Sequence, residues 1–275
     1  MPNFVKTLQL KLGTMKMFPF KIVLMTIVAS GFLSFFVGRK TTNQPLQSSN
    51  NSAVSSENLS KGVAVLELYT SEGCSSCPPA DDILRGIVHQ ENVFALAFHV
   101  TYWNRLGWTD SFSQKAFDER QYAYSARFQK DGVYTPQLVV NGTEQFVGSR
   151  KTQTENAIKK ALAKSSLAQV KLSKTMNNNT LDIHFNLKGD FQNAVLNFAL
   201  VESNFSTKVI HGENEGRTLK HDNVVRDFQT LNVKNTEGVH KVNISKNWQL
   251  NNCLIIAFLQ DKTTGQVIGA AKIRL

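Results

Sequence analysis

Cysteine is scarce in this sequence, with three residues in 275. That number is too small for a miniature scaffold stapled by several disulfides. Proline and glycine are sparse as well, at six and 16, which excludes collagen-like and low-complexity architecture. Acidic residues are outnumbered, giving a formal net charge of +10. Such an excess marks a nucleic-acid surface only where Lys and Arg cluster on a folded domain. Residues 1–61 hold seven Lys/Arg against Glu57 alone, residues 62–165 hold eleven of each sign, and residues 166–275 hold thirteen bases and nine acids. The middle of the chain is neutral, so no nucleic-acid partner is expected. Hydrophobic residues make up 41%, enough for a buried core.

Long apolar runs flanked by charge occur once. Ile22–Gly38 (IVLMTIVASGFLSFFVG) follows Lys6, Lys11, Lys16 and Lys21 and precedes Arg39 and Lys40. The basic flank at the N-terminal side stays inside, which sends the rest of the chain out of the cytoplasm. Cleavage after Val28-Ala29-Ser30 would leave Phe32–Val37 on the mature chain. The pattern therefore predicts an uncleaved inner-membrane anchor facing the periplasm, or a secreted periplasmic form if the leader is removed. Thr41–Lys61 is rich in Ser, Asn, Thr and Gln and reads as a flexible tether. The predicted organisation is a signal or anchor over 1–40, a linker over 41–61, an α/β domain over 62–166 and a β-sandwich-like domain over 167–275.

Val63–Thr70 (VAVLELYT) and Val93–Val100 (VFALAFHV) are continuous apolar runs of the kind buried in a parallel sheet. Ile83, Leu84, Ile87 and Val88 lie between them at helical spacing. Ser111–Lys130 and the stretch opened by Thr152-x-x-Glu155 read as two further helices. Asn141-Gly142 marks a hairpin between Gln137–Asn141 and Gln145–Gly148. After Ala168 the period changes to two, as in Leu181, Ile183, Phe185 and Leu187. Runs at Ala194–Ser203, Asn223–Leu231, Gly238–Ile244, Cys253–Gln260 and Gln266–Leu275 complete an expected all-β sandwich.

The chemistry centres on Cys74-Ser-Ser-Cys77, placed between a strand and a helix. That spacing lets the two sulfurs meet within one turn. A thiolate at a helix start is favoured by the unpaired N–H groups there, and a neighbouring thiol can resolve a mixed disulfide. Structural zinc is disfavoured because the remaining cysteine, Cys253, sits in an apolar run and the histidines are scattered. No metal or other cofactor is expected. About sixty residues on, Thr135-Pro136 precedes a strand, the point at which thioredoxin-like folds place a cis-proline against the CxxC. Pro78-Pro79 suits a first helical turn, so the regular helix is expected to start near Pro78. Glu72 is an anion that opposes thiolate formation.

The segments LELYTSEGCSSCPPAD, FHVTYWNRLGWTD, GVYTPQLVVNG and GENEGRTLKHDNVVR resemble the secreted thioredoxin-like family known as domain of unknown function 1223. The resemblance runs from Val63 to the C-terminus. It implies a thioredoxin-like core, an exported location and a thiol redox role, without a defined substrate. Thr101 and Asn104 stand where the family carries acids, which weakens any role needing a carboxylate in that loop.

The expected reading is a thiol–disulfide oxidoreductase with Cys74 as nucleophile, Cys77 as resolver and Pro136 shaping the substrate cleft. Thr135, His99, Tyr102, Trp103 and Trp108 are candidate cleft residues. Glu67 is either a buried proton relay behind Cys77 or a salt-bridged edge residue. The expected partners are protein thiols or disulfides, together with the membrane through the N-terminal segment. His211–His221 reads as an inter-domain contact, a binding loop or a solvated hairpin. Two alternatives stand beside the redox reading: a non-enzymatic binding module with a structural disulfide, and a copper-handling protein using Cys74, Cys77 and His99.

Overall fold

The computed structural model describes residues 61–275. The apolar run Ile22–Gly38 and most of the expected tether lie outside the described residues. Among the described residues no helix is long and apolar enough to cross a membrane, and the predicted transmembrane helix falls outside them.

In chain order the elements are β1 (Ala64–Thr70), α1 (Pro78–Ile87), β2 (Val93–His99), α2 (Lys115–Arg127), β3 (Gln137–Val140), β4 (Glu144–Val147) and α3 (Lys151–Leu162). Strands follow, with one short 3-10 helix at Leu250–Asn252: β5 (Ala168–Asn177), β6 (Thr180–Gly189), β7 (Ala194–Glu202), β8 (Phe205–Lys208), β9 (Thr218–His221), β10 (Val224–Asn232), β11 (Glu237–Asn243), β12 (Cys253–Asp261) and β13 (Val267–Arg274). Helix α2 is shorter than its predicted stretch, and α3 opens at Lys151 without a side-chain cap. The Thr154 hydroxyl donates instead to the Arg150 carbonyl.

Eight strands form one mixed sheet in the order β13-β12-β7-β10-β2-β1-β3-β4. Strands β1 and β2 are parallel, as are β2 and β10, and the remaining neighbours are antiparallel. The expected α/β thioredoxin-like domain followed by a separate β-sandwich is thereby corrected. The fold is mostly β, and strands from both halves of the chain share one sheet. Strands β7 and β12 are buried along nearly their whole length, as strands covered on both faces must be. Strands β5 and β6 alternate in burial at their buried ends and form a separate three-stranded sheet in the order β11-β6-β5.

That small sheet covers one face of the large one. Leu181, Ile183, Phe185 and Leu187 pack with Leu196, Phe198, Ile255 and Leu259 in one core. Beside it, α1 and α3 cover β1–β3 through Leu84, Ile87, Ile158 and Ala161. On the opposite face, Phe117 and Tyr124 of α2 pack against residues of β1, β2, β7, β10 and β12 in a single cluster. One core thus runs across the join between the two halves.

Asn223 makes that join. Its backbone is left-handed, with φ of 50°, a conformation asparagine tolerates better than most residues. Its carbonyl accepts from the Ala97 N–H at 2.9 Å, and its side-chain amide donates to the Ala95 carbonyl at 2.9 Å. The Ser203 hydroxyl binds both its N–H and its side-chain oxygen, each at 2.9 Å. Only Val224 pairs directly with β2, opposite Ala97. Asn223→Ala should destabilise the protein by roughly 2–4 kcal/mol, since it strips buried partners and leaves alanine in a left-handed backbone. Thermal and urea unfolding check this; a loss under about 0.5 kcal/mol would contradict the role of the joint.

Candidate functional site

Strand β1 runs into a tight turn, Ser71–Cys77, before α1 begins. The turn is held by backbone bonds from the Cys74 N–H to the Ser71 carbonyl and from the Cys77 N–H to the Cys74 carbonyl. Cys77 caps the helix and Pro78 occupies its first turn, where a missing N–H costs nothing. Cys74 and Cys77 are joined in a disulfide with Cα atoms 5.4 Å apart. Both are fully buried, whereas Ser75 and Ser76 are exposed. Neither cysteine is open to solvent.

The cover comes from the loop between β8 and β9. Asn214, itself fully buried, donates from its side-chain amide to the carbonyls of Glu72 (2.8 Å) and Cys74 (2.9 Å). Glu213 accepts from the Ser75 N–H at 3.0 Å and from its hydroxyl at 2.7 Å. Those two bonds hold the Glu213 carboxyl below its ordinary pKa. Arg217 steadies Asn214 from behind through a 2.7 Å bond to its side-chain oxygen. This segment is the one whose role the sequence left open between contact, binding loop and hairpin; it is the clasp of the cysteine turn.

The aromatic loop after β2 supplies the second wall. Trp103 donates from its indole N–H to the Thr135 hydroxyl at 2.8 Å, and its Cβ lies against Gly73, where an added Cβ would stand 3.2 Å away. One tryptophan therefore ties the cysteine turn to the Thr135-Pro136 peptide, which is cis. Pro136 is buried and its carbonyl accepts from the Gly148 N–H. Trp108 donates to Glu72 Oε2 at 2.9 Å. Tyr102 donates to Gln121, and burial raises its phenol pKa.

Around the turn lies a group of buried ionisable side chains: Glu72, Asp81, His99, Asp110 and His221. Asp110 Oδ2 accepts from the Glu72 N–H at 2.9 Å and faces His99 Nδ1 at 2.7 Å. Burial alone would raise the Asp110 pKa, but the His99 charge and these hydrogen bonds bring it below the usual carboxylate value. The His99 and His221 rings are 5.0 Å apart, and His221 Nε2 lies 3.4 Å from Glu72 Oε1. Asp81 accepts from the Thr70 hydroxyl at 3.1 Å. Burial pushes its pKa up to about 7, with the His221 charge and the Thr70 bond opposing. Glu72 Oε1, His99 Nε2 and both ring nitrogens of His221 have no hydrogen-bond partner.

Of the residues expected to act together, the structure gathers Cys74, Cys77, Trp103, Trp108, Thr135 and Pro136 through these links. His99 is fully buried and paired with Asp110, so it lines no open cleft. Glu67 lies with a different group: Arg120 grips it through bonds of 2.6 and 2.9 Å, and the Tyr124 hydroxyl donates to it at 2.5 Å. The donors of the copper alternative are committed elsewhere, the sulfurs to each other and His99 Nδ1 to Asp110. Among the described residues no three His, Cys, Asp or Glu side chains are grouped to hold a metal ion. Cys253 is buried and free, with its thiol pKa pushed up to about 12 by burial and by Glu202, which makes it inert. The sequence marks the segment that holds Glu213, Asn214 and His221 but does not place it against the cysteine turn. Their spacing from the cysteines, some 140 residues, carries no local signal.

Asp81 gives the stability a defined pH dependence. Its ordinary value is 3.8 and its value in the fold is about 7, so the folded state holds a proton that the unfolded state gives up. That contribution is complete below about pH 4 and is lost as pH rises through 7. Asp81→Asn should therefore flatten the fall in melting temperature between pH 4 and 8 relative to the parent. An unchanged slope would show that Asp81 titrates normally.

Three comparisons bear on the site. The family model described as "Protein of unknown function (DUF1223)" matches residues 65–260. The crystal structure of protein AGR_C_4864 from Agrobacterium tumefaciens is similar, with 27% identity over 78% of this chain and 95% of that one, at a TM-score of 0.60. HBP35 of Porphyromonas gingivalis shares the fold at 17% identity over 78% of this chain and 76% of that one, with a TM-score of 0.53. No match was found among curated proteins. The family model spans the cysteine turn, the aromatic loop, the cis-proline and the Asn214 clasp, and the chain belongs to the DUF1223 family.

Proposed function

We propose that this chain is an exported thiol–disulfide oxidoreductase whose reactive pair is Cys74 and Cys77. The observation that carries this reading is a closed disulfide at the start of α1, tied through Trp103 to the cis-Pro136 loop. In the dithiol form, the Cys74 thiolate attacks one sulfur of a protein disulfide. The substrate S–S bond breaks and its other sulfur leaves with the electron pair. The Cys77 thiolate then attacks Cys74 Sγ and expels the second substrate sulfur, leaving the pair oxidised and the substrate reduced by two electrons. The helix N-terminus favours the thiolate throughout. An oxidised pair is at home outside the cytoplasm, in keeping with the exported location.

Because both sulfurs are enclosed, exchange requires the Asn214 clasp to release the cysteine turn. Local openings of this kind are ordinary where a few loop hydrogen bonds are the restraint. The same enclosure favours a second reading, a binding module in which the disulfide is structural.

Three variants test these readings. Cys77→Ser should accumulate mixed disulfides with extracytoplasmic proteins, whereas Cys74→Ser should accumulate none, since attack persists only in the former. Asn214→Ala should speed reduction of the folded protein's disulfide by dithiothreitol roughly tenfold, about 1.4 kcal/mol for two weakened bonds. Equal trapping by both cysteine variants, or none by either, would pass the function to the binding module.

A further inference from the structure

A carboxylate occupies one edge of a guanidinium fork, and the five N–H groups leave another edge for a second acceptor. Arg120 has that arrangement. Its Nε and Nη2 hold the two oxygens of Glu67, and Nη2 also reaches the Tyr124 hydroxyl at 3.4 Å and the Gln260 side-chain oxygen at 3.3 Å. Nη1 takes no part in these bonds, and the side chain keeps 16% of its surface exposed. Arg120 lines a cavity of about 420 Å³ between α2 and the strands β7, β10 and β12.

The walls of this cavity follow from the sequence on either side. Ala116, Arg120 and Ala123 share one face of α2, since residues three and four apart are neighbours on a helix. Both alanines line the cavity and are exposed, so their short side chains leave room above the strands. Opposite them stand Val195 of β7 and Phe228 of β10, each half-buried. The register of β10 shifts between Val225 and Asp227, and bulges re-aim the side chains beside them. The Phe228 ring, next in the chain, has its centroid 4.5 Å from Arg120 Cζ. A cationic corner thus adjoins a flat aromatic face.

Charge at the rim points the same way. Arg127 and Lys262 are exposed there, and Arg127 is held by the Thr263 and Lys262 carbonyls at 2.8 and 3.3 Å. Asp261 also lines the rim. Its Oδ1 accepts from the N–H groups of Thr263 and Thr264, and its Oδ2 accepts from the Asn193 amide, so its charge is turned to its own hairpin. With Glu67 behind Arg120, three cations face two anions and one positive charge is in excess.

We propose that this cavity binds a small organic carboxylate, with its charged end on the Nη1 edge of Arg120 and its apolar body between Phe228 and the two alanines. The site stands apart from the thiol chemistry and does not depend on it. One negative charge balances the excess at the site, and a neutral ligand leaves the guanidinium edge without an acceptor. Arg120 is already fixed by Glu67, so little side-chain freedom is lost on binding. The ligand spans the join, touching α2 from the first half of the chain and β7, β10 and β12 from the second, and so it favours the folded state by mass action.

Benzoate is a suitable probe, added to the full chain at neutral pH and followed by calorimetry and thermal unfolding. One benzoate should bind per chain and raise the melting temperature progressively with its concentration. Benzamide, of the same shape without the charge, should bind at least about tenfold more weakly, because the charge-assisted bonds to Arg120 are lost. Ala123→Leu fills the cavity from an exposed helical position where leucine is well tolerated, and should weaken benzoate at least about tenfold. The same variant should leave reduction of the Cys74–Cys77 disulfide by dithiothreitol unchanged. Lys262→Gln should weaken benzoate by about threefold, the effect of one exposed rim charge. Absence of saturable benzoate binding would overturn the proposal, as would benzamide binding equally well. Benzoate affinity indifferent to Ala123→Leu would place the ligand elsewhere and overturn it too.

Discussion

The contact between Asn223 and the middle of β2 is the constraint on which the rest of this architecture hangs. Ala95 and Ala97 offer a carbonyl and an N–H on the free edge of β2, and Asn223 takes both. An unpaired strand edge inside a protein leaves polar groups without water or partner. Joining it to β10 extends the four-stranded mixed sheet of the first half into one of eight strands. The aromatic core on the α2 face then runs uninterrupted from Phe98 and Phe117 to Phe228 and Phe258.

The same joint sets the chemistry. Strand β9 ends at His221, two residues before Asn223, so fixing Asn223 fixes the hairpin that carries His221 and the Asn214 clasp. The clasp closes over a cysteine turn built by the first half of the chain. Site and cover thus come from opposite ends of the sequence and meet because one asparagine bridges two strands. This arrangement separates the formation of the disulfide, which needs only a local turn, from its accessibility, which needs the tertiary contact.

Buried charge is handled in two ways within one core. Around Arg120 every partner is supplied: Glu67 binds it in two places, and the Phe98, Tyr124, Phe228 and Phe258 rings pack around the guanidinium. Burial and the Glu67 charge act in opposite senses on Arg120, and the charge prevails, keeping it protonated. That group is a fixed structural strut. The group beside the disulfide keeps unpaired atoms at Glu72 and His221 and an acid, Asp81, that changes charge near neutrality. The contrast lies in hydrogen-bond satisfaction, and the bonded group is the less hidden of the two, with the Arg120 side chain 16% exposed.

The sequence by itself determined the local pieces. Continuous apolar runs announced β1 and β2, Asn141-Gly142 the β3–β4 hairpin, and Pro78 the start of α1, because each depends on side chains within a few residues of one another. It also determined the cysteine turn, since two cysteines three positions apart between a strand and a helix can meet without help. Tertiary structure decided the rest. The apolar runs of β7 and β12 suit a sandwich as well as a mixed sheet, because a sequence does not say which layer covers a strand's second face. Glu67 became a strut and His99 a buried partner of Asp110 because strand and loop geometry chose their neighbours. The enclosure of the cysteines by residues 140 positions away was decided only when β10 joined β2, an event with no signature in either segment alone.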